Sequence, residues 1–211
     1  APGRDEQESF AASLRGMWTG LSKVDVTTIT SFSTSNSLNS ADGDWTNDLS
    51  NDWTYSAFIQ TGRDRDRWSE EVRFDSIDQQ DALGIIDRWT TGLYFEGFQE
   101  DTEFGGDFGA FDTTYKTQTY SIYGQATHIL SEKTRLTLGL RTEHYDLETD
   151  VTYSNKPASE NDPSFDDWLL GGKLTLEHDL STTKTLFASI TKGYKAGGAN
   201  IYPELEGGVP T

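Results

Sequence analysis

The sequence predicts an all-β chain: an antiparallel up-and-down meander of about eight strands, forming part of a large transmembrane β-barrel. Three observations lead there. Apolar and polar residues alternate at the strand period in segment after segment, most clearly where Leu136, Leu138 and Leu140 interleave with Thr137, Gly139 and Arg141. The connections between these segments tend to alternate short and long. Hydrophobic residues make up 34% of the 211 residues and aromatics 12%, with glycine abundant, which suits a wall with one wet face better than a globular core.

The strands follow in order. The first covers 9–21 and alternates poorly. The second, 24–37, sets Val24, Val26, Thr28 and Thr30 against Asp25, Thr27 and Ile29. The third, 68–75, places Val72 and Phe74 on one face and Glu71 and Arg73 on the other. The fourth, 89–98, opposes Trp89, Thr91, Leu93 and Phe95 to Thr90, Gly92, Tyr94 and Glu96. The fifth and sixth cover 115–128 and 133–151. In the seventh, 168–178, Leu170, Leu174 and Leu176 oppose Lys173, Thr175 and Glu177. The eighth, 183–190, carries Leu186, Ala188 and Ile190 on one face and runs out into Gly193, Lys195, Gly197 and Gly198.

Short connections are expected near 22–23, 129–132 and 179–182, and long ones near 38–67, 99–114 and 152–167. The connection at 76–88 breaks the rule, being longer than its place in the series requires. Long loops gathered at one end favour a binding mouth. All five prolines, Pro2, Pro157, Pro163, Pro203 and Pro210, fall outside the predicted strands, as ladder hydrogen bonding requires. Trp68, Trp89, Trp168, Tyr145 and Tyr194 lie near strand ends and fit interfacial girdles or ordinary core aromatics equally well.

Seventeen Lys and Arg against 35 Asp and Glu give a net charge of −18. That argues strongly against nucleic acid as a partner, since phosphate backbones require a basic surface. The acids of 97–114 read as a solvated loop face; the sharper reading is attraction of cations. There is no cysteine, and no run of about 18 apolar residues that would make a transmembrane helix; strands cross membranes without one.

No catalytic constellation stands out and no cofactor is expected. His128, His144 and His178 are spread over three strands, and Ser121 and Ser189 lack a nucleophile elbow. Asp42/Asp44 and Asp64/Asp66 lack the spaced ligands of a calcium loop. Glu71, Arg73, Arg141 and Glu143 sit on polar strand faces, lumen-facing in a barrel, where ladders of cross-strand ion pairs are expected. Trp45, Trp53, Tyr55 and Phe104 are the ligand-binding candidates, because aromatic rings in polar loops cost solvation unless they meet something.

Six segments resemble TonB-dependent outer-membrane receptors. Thr28-Ile29-Thr30-Ser31-Phe32 resembles the first long barrel strand, and Trp68-Ser69-Glu70-Glu71-Val72-Arg73-Phe74 the Ser-x-Glu-hydrophobic-Arg strand. Trp89 to Phe95 is similar to the Trp-x-x-Gly-aliphatic-Tyr strand, and Tyr123-Gly124-Gln125-Ala126 to the aromatic-Gly-Gln strand. Leu138-Gly139-Leu140-Arg141-Thr142 resembles the Gly-aliphatic-Arg-aromatic strand, with Thr142 in place of the aromatic. Thr191 to Gly198 resembles the Gly-aromatic-basic-x-Gly-Gly exit. Together they keep the family's order over residues 24–200.

The resemblance implies a barrel of about 22 strands, of which residues 1–211 would be one partial domain, the plug domain and the remaining strands being absent. It implies the outer membrane of a Gram-negative bacterium, with outer-membrane lipid around the wall. It implies uptake of a scarce small molecule, such as an iron–siderophore, vitamin or oligosaccharide, at the extracellular loops, with energy from the TonB system reaching the barrel through the plug, and no enzymatic role. The rival readings are a soluble all-β binding or adhesion module with acidic loops, and a carbohydrate-active enzyme on a β-scaffold. A soluble sandwich would bury the Leu136–Leu138–Leu140 face against a second sheet.

Overall fold

The computed structural model describes residues 3–42, 57–77, 86–107, 109–153 and 163–199, together with the backbone of 205–206 and 209–210. Eight strands form one antiparallel sheet in sequence order: β1 (Arg4–Trp18), β2 (Val24–Asp42), β3 (Phe58–Ser76), β4 (Arg88–Gly106), β5 (Gly109–Ser131), β6 (Thr134–Tyr153), β7 (Phe165–Ser181) and β8 (Lys184–Lys192). Two short strands, β9 (Leu205–Glu206) and β10 (Val209–Pro210), pair with each other, so Pro210 stands in a strand after all.

All eight predicted strands are present, and most are longer than their hydropathy suggested. The 23 residues of β5 exceed the roughly 9–11 that a tilted strand needs to cross a bilayer. The extensions are polar. In β3 the added residues include Arg63-Asp64-Arg65-Asp66-Arg67, which keeps a period of two in charge instead of hydropathy.

The long connection expected at 99–114 does not exist. β4 runs on to Gly106 and β5 begins at Gly109, with only two residues between them. Gly109 has a φ of 128°, a left-handed conformation that side chains disfavour and that lets the hairpin close. An acidic, glycine-containing run reads as a loop from composition, but its pairing continues out to Gly106 opposite Gly109. The remaining connections at this end, 43–57 and 154–164, are long, while 19–23, 132–133 and 182–183 at the opposite end are short.

The register is staggered. A row of directly paired residues starts at Trp18, the last residue of β1 beside its turn. It passes through Val26, Phe74, Thr91, Gly124, Leu140 and Gly172 to Lys192, the end of β8 furthest from its turn. Such a climb across the strands is the shear that tilts the wall of a barrel. The sheet is open, with β1 and β8 at its edges.

Pairing also sorts the side chains into two faces. Leu136, Leu138 and Leu140 share one face with Leu174, Leu176, Ala188 and Ile190, and among the described residues no second sheet covers it: Leu140 is 55% exposed and Ile190 72%. The soluble-sandwich expectation fails on this point. Trp68, Phe95 and Tyr120 form a band on the apolar face, with ring centroids 4.5 and 4.7 Å apart, and Trp168 continues it against His144 at 4.9 Å. Tyr145 pairs through β5 with Thr119 on the opposite, polar face, and Tyr194 reaches that face too, so neither belongs to the band.

Candidate functional site

The polar face is where side chains converge. Two adjacent rows hold the four residues expected there. Glu71 pairs with Tyr94, then Ser121, then Glu143; Arg73 pairs with Gly92, then Tyr123, then Arg141. The sheet therefore brings residues far apart in sequence into one patch.

Their partners differ from a ladder of cross-strand ion pairs. The charge pairs run along single strands: Arg73 Nε donates to Asp75 at 2.9 Å, and Arg141 Nη2 to Glu143 at 2.8 Å. Across strands the links are mostly hydroxyls. The Tyr123 hydroxyl donates to Glu71, Thr90 Oγ1 donates to Asp75 at 2.7 Å, and Arg141 donates to Ser121 at 2.7 Å. Arg141 also stands over the Tyr94 ring, 5.4 Å from its centroid.

Glycines make two of these contacts possible. A Cβ at Gly92 would lie 2.5 Å from the Tyr123 hydroxyl, and one at Gly171 would lie 2.9 Å from the Tyr194 ring. Tyr194, just past β8, uses the second notch to reach back across β7. Its hydroxyl accepts from Arg141 Nε at 3.0 Å and donates to Glu143 at 3.2 Å. The segment 193–199 is thereby held against the polar face, a link that the strand period around it did not announce.

Nearer the end with the long connections, the same face carries Arg63, Arg65 and Arg67 of β3. Arg65 meets Glu100 at 2.5 Å, Arg63 meets the same carboxylate at 3.9 Å, and Arg67 lies 5.1 Å above the Phe98 ring. Tyr115 and Tyr145 join hydroxyls at 3.2 Å beside them. The strict alternation of sign from Arg63 to Arg67 was the available sequence signal. Phe104, expected in a loop, is a strand residue of β4 stacked on Phe111 at 4.8 Å. Trp45, Trp53 and Tyr55 lie outside the described residues.

A hollow of about 390 Å3 lies on the apolar face among Val72, Leu93, Phe95, Ile122 and Trp168, and has the same character as the surface around it. At the short-turn end, Asp87 stands just before β4. Its Oδ2 accepts from the Ile129 backbone N–H at 2.7 Å and sits 3.1 Å from His128 Nδ1. The Ile129 bond, with help from His128, holds the Asp87 carboxyl below the usual carboxylate range. Among the described residues no three His, Cys, Asp or Glu side chains group as metal ligands.

An open, staggered, eight-stranded meander with one apolar and one networked polar face is barrel wall. The family model described as TonB dependent receptor-like, beta-barrel matches residues 3–208. The chain belongs to this family. Its members are outer-membrane barrels of Gram-negative bacteria, which places this chain in that membrane, and the family is one of transport receptors, not enzymes.

Solved receptors share the fold. The ferric yersiniabactin uptake receptor FyuA from Yersinia pestis matches with a TM-score of 0.77 at 15% identity, over 96% of this chain and 30% of its own. The copper transporter OprC matches at 0.67 and 16% identity, over 87% and 29%. The ferric-catecholate import receptor Fiu from E. coli K12, in its open form, matches at 0.64 and 14% identity, over 89% and 35%. The chain thus spans about a third of the receptors it resembles. No curated protein matches its sequence.

Proposed function

We propose that these residues form part of the wall of an outer-membrane receptor that takes up a scarce small molecule, of the class of iron–siderophores, vitamins or oligosaccharides, with energy from the TonB system. The observation that carries the reading is the division of one staggered sheet into an exposed apolar face and a cross-linked polar face. The apolar face meets lipid and the polar face lines the lumen. Family membership supports transport, and the names of the similar structures support metal and siderophore ligands in particular. A plug domain, reached by TonB and outside the residues described, would sit against the lumenal network of Glu71, Arg73, Arg141 and Glu143. Trp45, Trp53 and Tyr55, between β2 and β3, are the first residues to test for ligand contact, and Phe104 joins them from the tip of β4. The wall itself supplies no reaction chemistry.

The test is accumulation of labelled ferric siderophores, cobalamin and oligosaccharides by cells carrying the complete receptor as their only route. TonB-dependent accumulation of one of these, reduced severalfold by Trp53→Ala, is the expected result. Accumulation of none, or accumulation that persists without TonB, contradicts the reading.

A further inference from the structure

We infer that the polar face of β1–β3 holds a subsite for an oxyanion-bearing ligand, one with carboxylate or phosphate groups; this rests on the receptor reading above and names the chemistry of its cargo. The site is a trough. Ser31, Ser33 and Ser35 of β2 form its floor, and Arg65, Arg67 and Phe98 form one wall. Two hollows of about 310 and 280 Å3 adjoin there, sharing Ser33 and Arg67. The floor is shallow because its side chains are small, while the wall reaches over it.

The charge is placed against the trend of the chain. The net charge is −18, yet β3 turns Arg63, Arg65 and Arg67 to this face and Asp64 and Asp66 to the other. In the three cross-strand rows that contain these arginines the only acid is Glu100. Glu100 contacts Arg65 and Arg63, and among the described residues no carboxylate pairs with Arg67, which lies over the Phe98 ring and within electrostatic reach of the Tyr94 hydroxyl. A guanidinium presents a rigid fork that matches carboxylate and phosphate geometry, and serine hydroxyls below it donate to the remaining oxygens. Phe98 orients Arg67 without neutralising it.

The height suits a ligand entering from outside. Arg67 adjoins Trp68 of the aromatic band, and Arg65 lies one step nearer the long connections. The acids elsewhere on the chain would repel an anion, so a positive trough raises its concentration at one place on the wall.

The experiment uses the complete receptor in detergent, with citrate and inorganic phosphate as oxyanion probes and the neutral sugar trehalose as control, read by calorimetry. Citrate binds more tightly than trehalose, and more weakly as salt rises. Arg67→Gln weakens citrate binding about ten- to a hundredfold, the loss of one charge-assisted contact, and Arg67→Lys, which keeps the charge without the fork, restores only part of it. Both variants are first checked for native folding by the heat-dependent gel shift of an intact barrel. Equal citrate affinity in the native protein and Arg67→Gln overturns the proposal, as does trehalose binding as tightly as citrate. Intact citrate binding with new protease cleavage of the plug in Arg67→Gln would make Arg67 a structural contact and also overturns it. If TonB-dependent uptake continues in that case, only the oxyanion assignment falls; if the native receptor shows no such uptake, both readings fall.

Discussion

At Gly92 a single hydrogen atom in place of a side chain lets Tyr123 lie flat and reach Glu71. A Cβ there would stand 2.5 Å from the Tyr123 hydroxyl and 2.6 Å from the adjacent ring carbon, so the whole ring must move, not only its tip. Alanine in a strand otherwise gains a little over glycine, and the sign of the substitution therefore reports on the contact. Gly92→Ala is expected to destabilise the refolded receptor by about 1–3 kcal/mol, the cost of losing a hydrogen bond to a carboxylate and leaving that carboxylate short of a donor. Tyr123→Phe removes the same bond without the steric push. Urea unfolding of the two single variants and the double variant separates the terms, because residues that act through one contact are not additive. A double variant whose loss equals the sum of the two single losses would show that Gly92 does not act through Tyr123.

At the scale of single elements, hydropathy reads a strand only where one of its faces is apolar. β6, β7 and β8 were legible because Leu136 to Leu140, Leu170 to Leu176 and Leu186 to Ile190 alternate with polar residues. The outer half of β3 was not, since both of its faces are polar and its period is carried by charge. The tips of β4 and β5 were missed because glycine and acids there suggested a loop, whereas ring stacking of Phe104 on Phe111 across the hairpin sustains the pairing. On the polar face, the shared side of Glu71, Arg73, Arg141 and Glu143 was legible, but the contacts of Tyr123 and Tyr194 were not, because they depend on glycine notches on neighbouring strands. On β6, Leu138 is 49% exposed on the apolar face beside Ala126 and Leu174. Leu138→Arg should cost about 2–4 kcal/mol on folding into a bilayer, measured by refolding into lipid vesicles; no loss would mean that this face does not meet lipid. Before β4, the Asp87 carboxyl titrates below its ordinary value because Ile129 N–H and His128 favour the charged form. Its contribution is thus fully present above the unfolded value, about pH 4, and disappears as pH falls through the lower folded value. The denaturation midpoint of the native receptor should exceed that of Asp87→Asn near pH 6 and converge with it in stronger acid. A difference that stays constant from pH 6 to pH 3 would remove the electrostatic account.

For the whole molecule, the decisive property is that a sheet with an exposed apolar face and a stagger along its strands satisfies itself only in a closed wall. β1 and β8 each pair on one side among the described residues, and the large side chains of β1, Phe10, Leu14 and Trp18, are exposed. Unpaired strand edges template pairing with another chain. Within a complete barrel each edge would meet a further strand, and the row from Trp18 to Lys192 would continue its climb around the wall. Residues 1–211 produced alone in detergent should therefore self-associate, edge against edge, with the apolar face under the micelle. Light scattering coupled to size-exclusion chromatography is expected to give dimers or larger species. A proline at Ser13, which pairs with Ser31 in the middle of β1, removes a backbone donor from that strand and should shift the distribution towards monomer. A stable detergent-solubilised monomer of the unaltered chain, with its strands intact by circular dichroism, would show that this sheet satisfies its edges without neighbours, and the barrel-wall account of its stability would have to be abandoned.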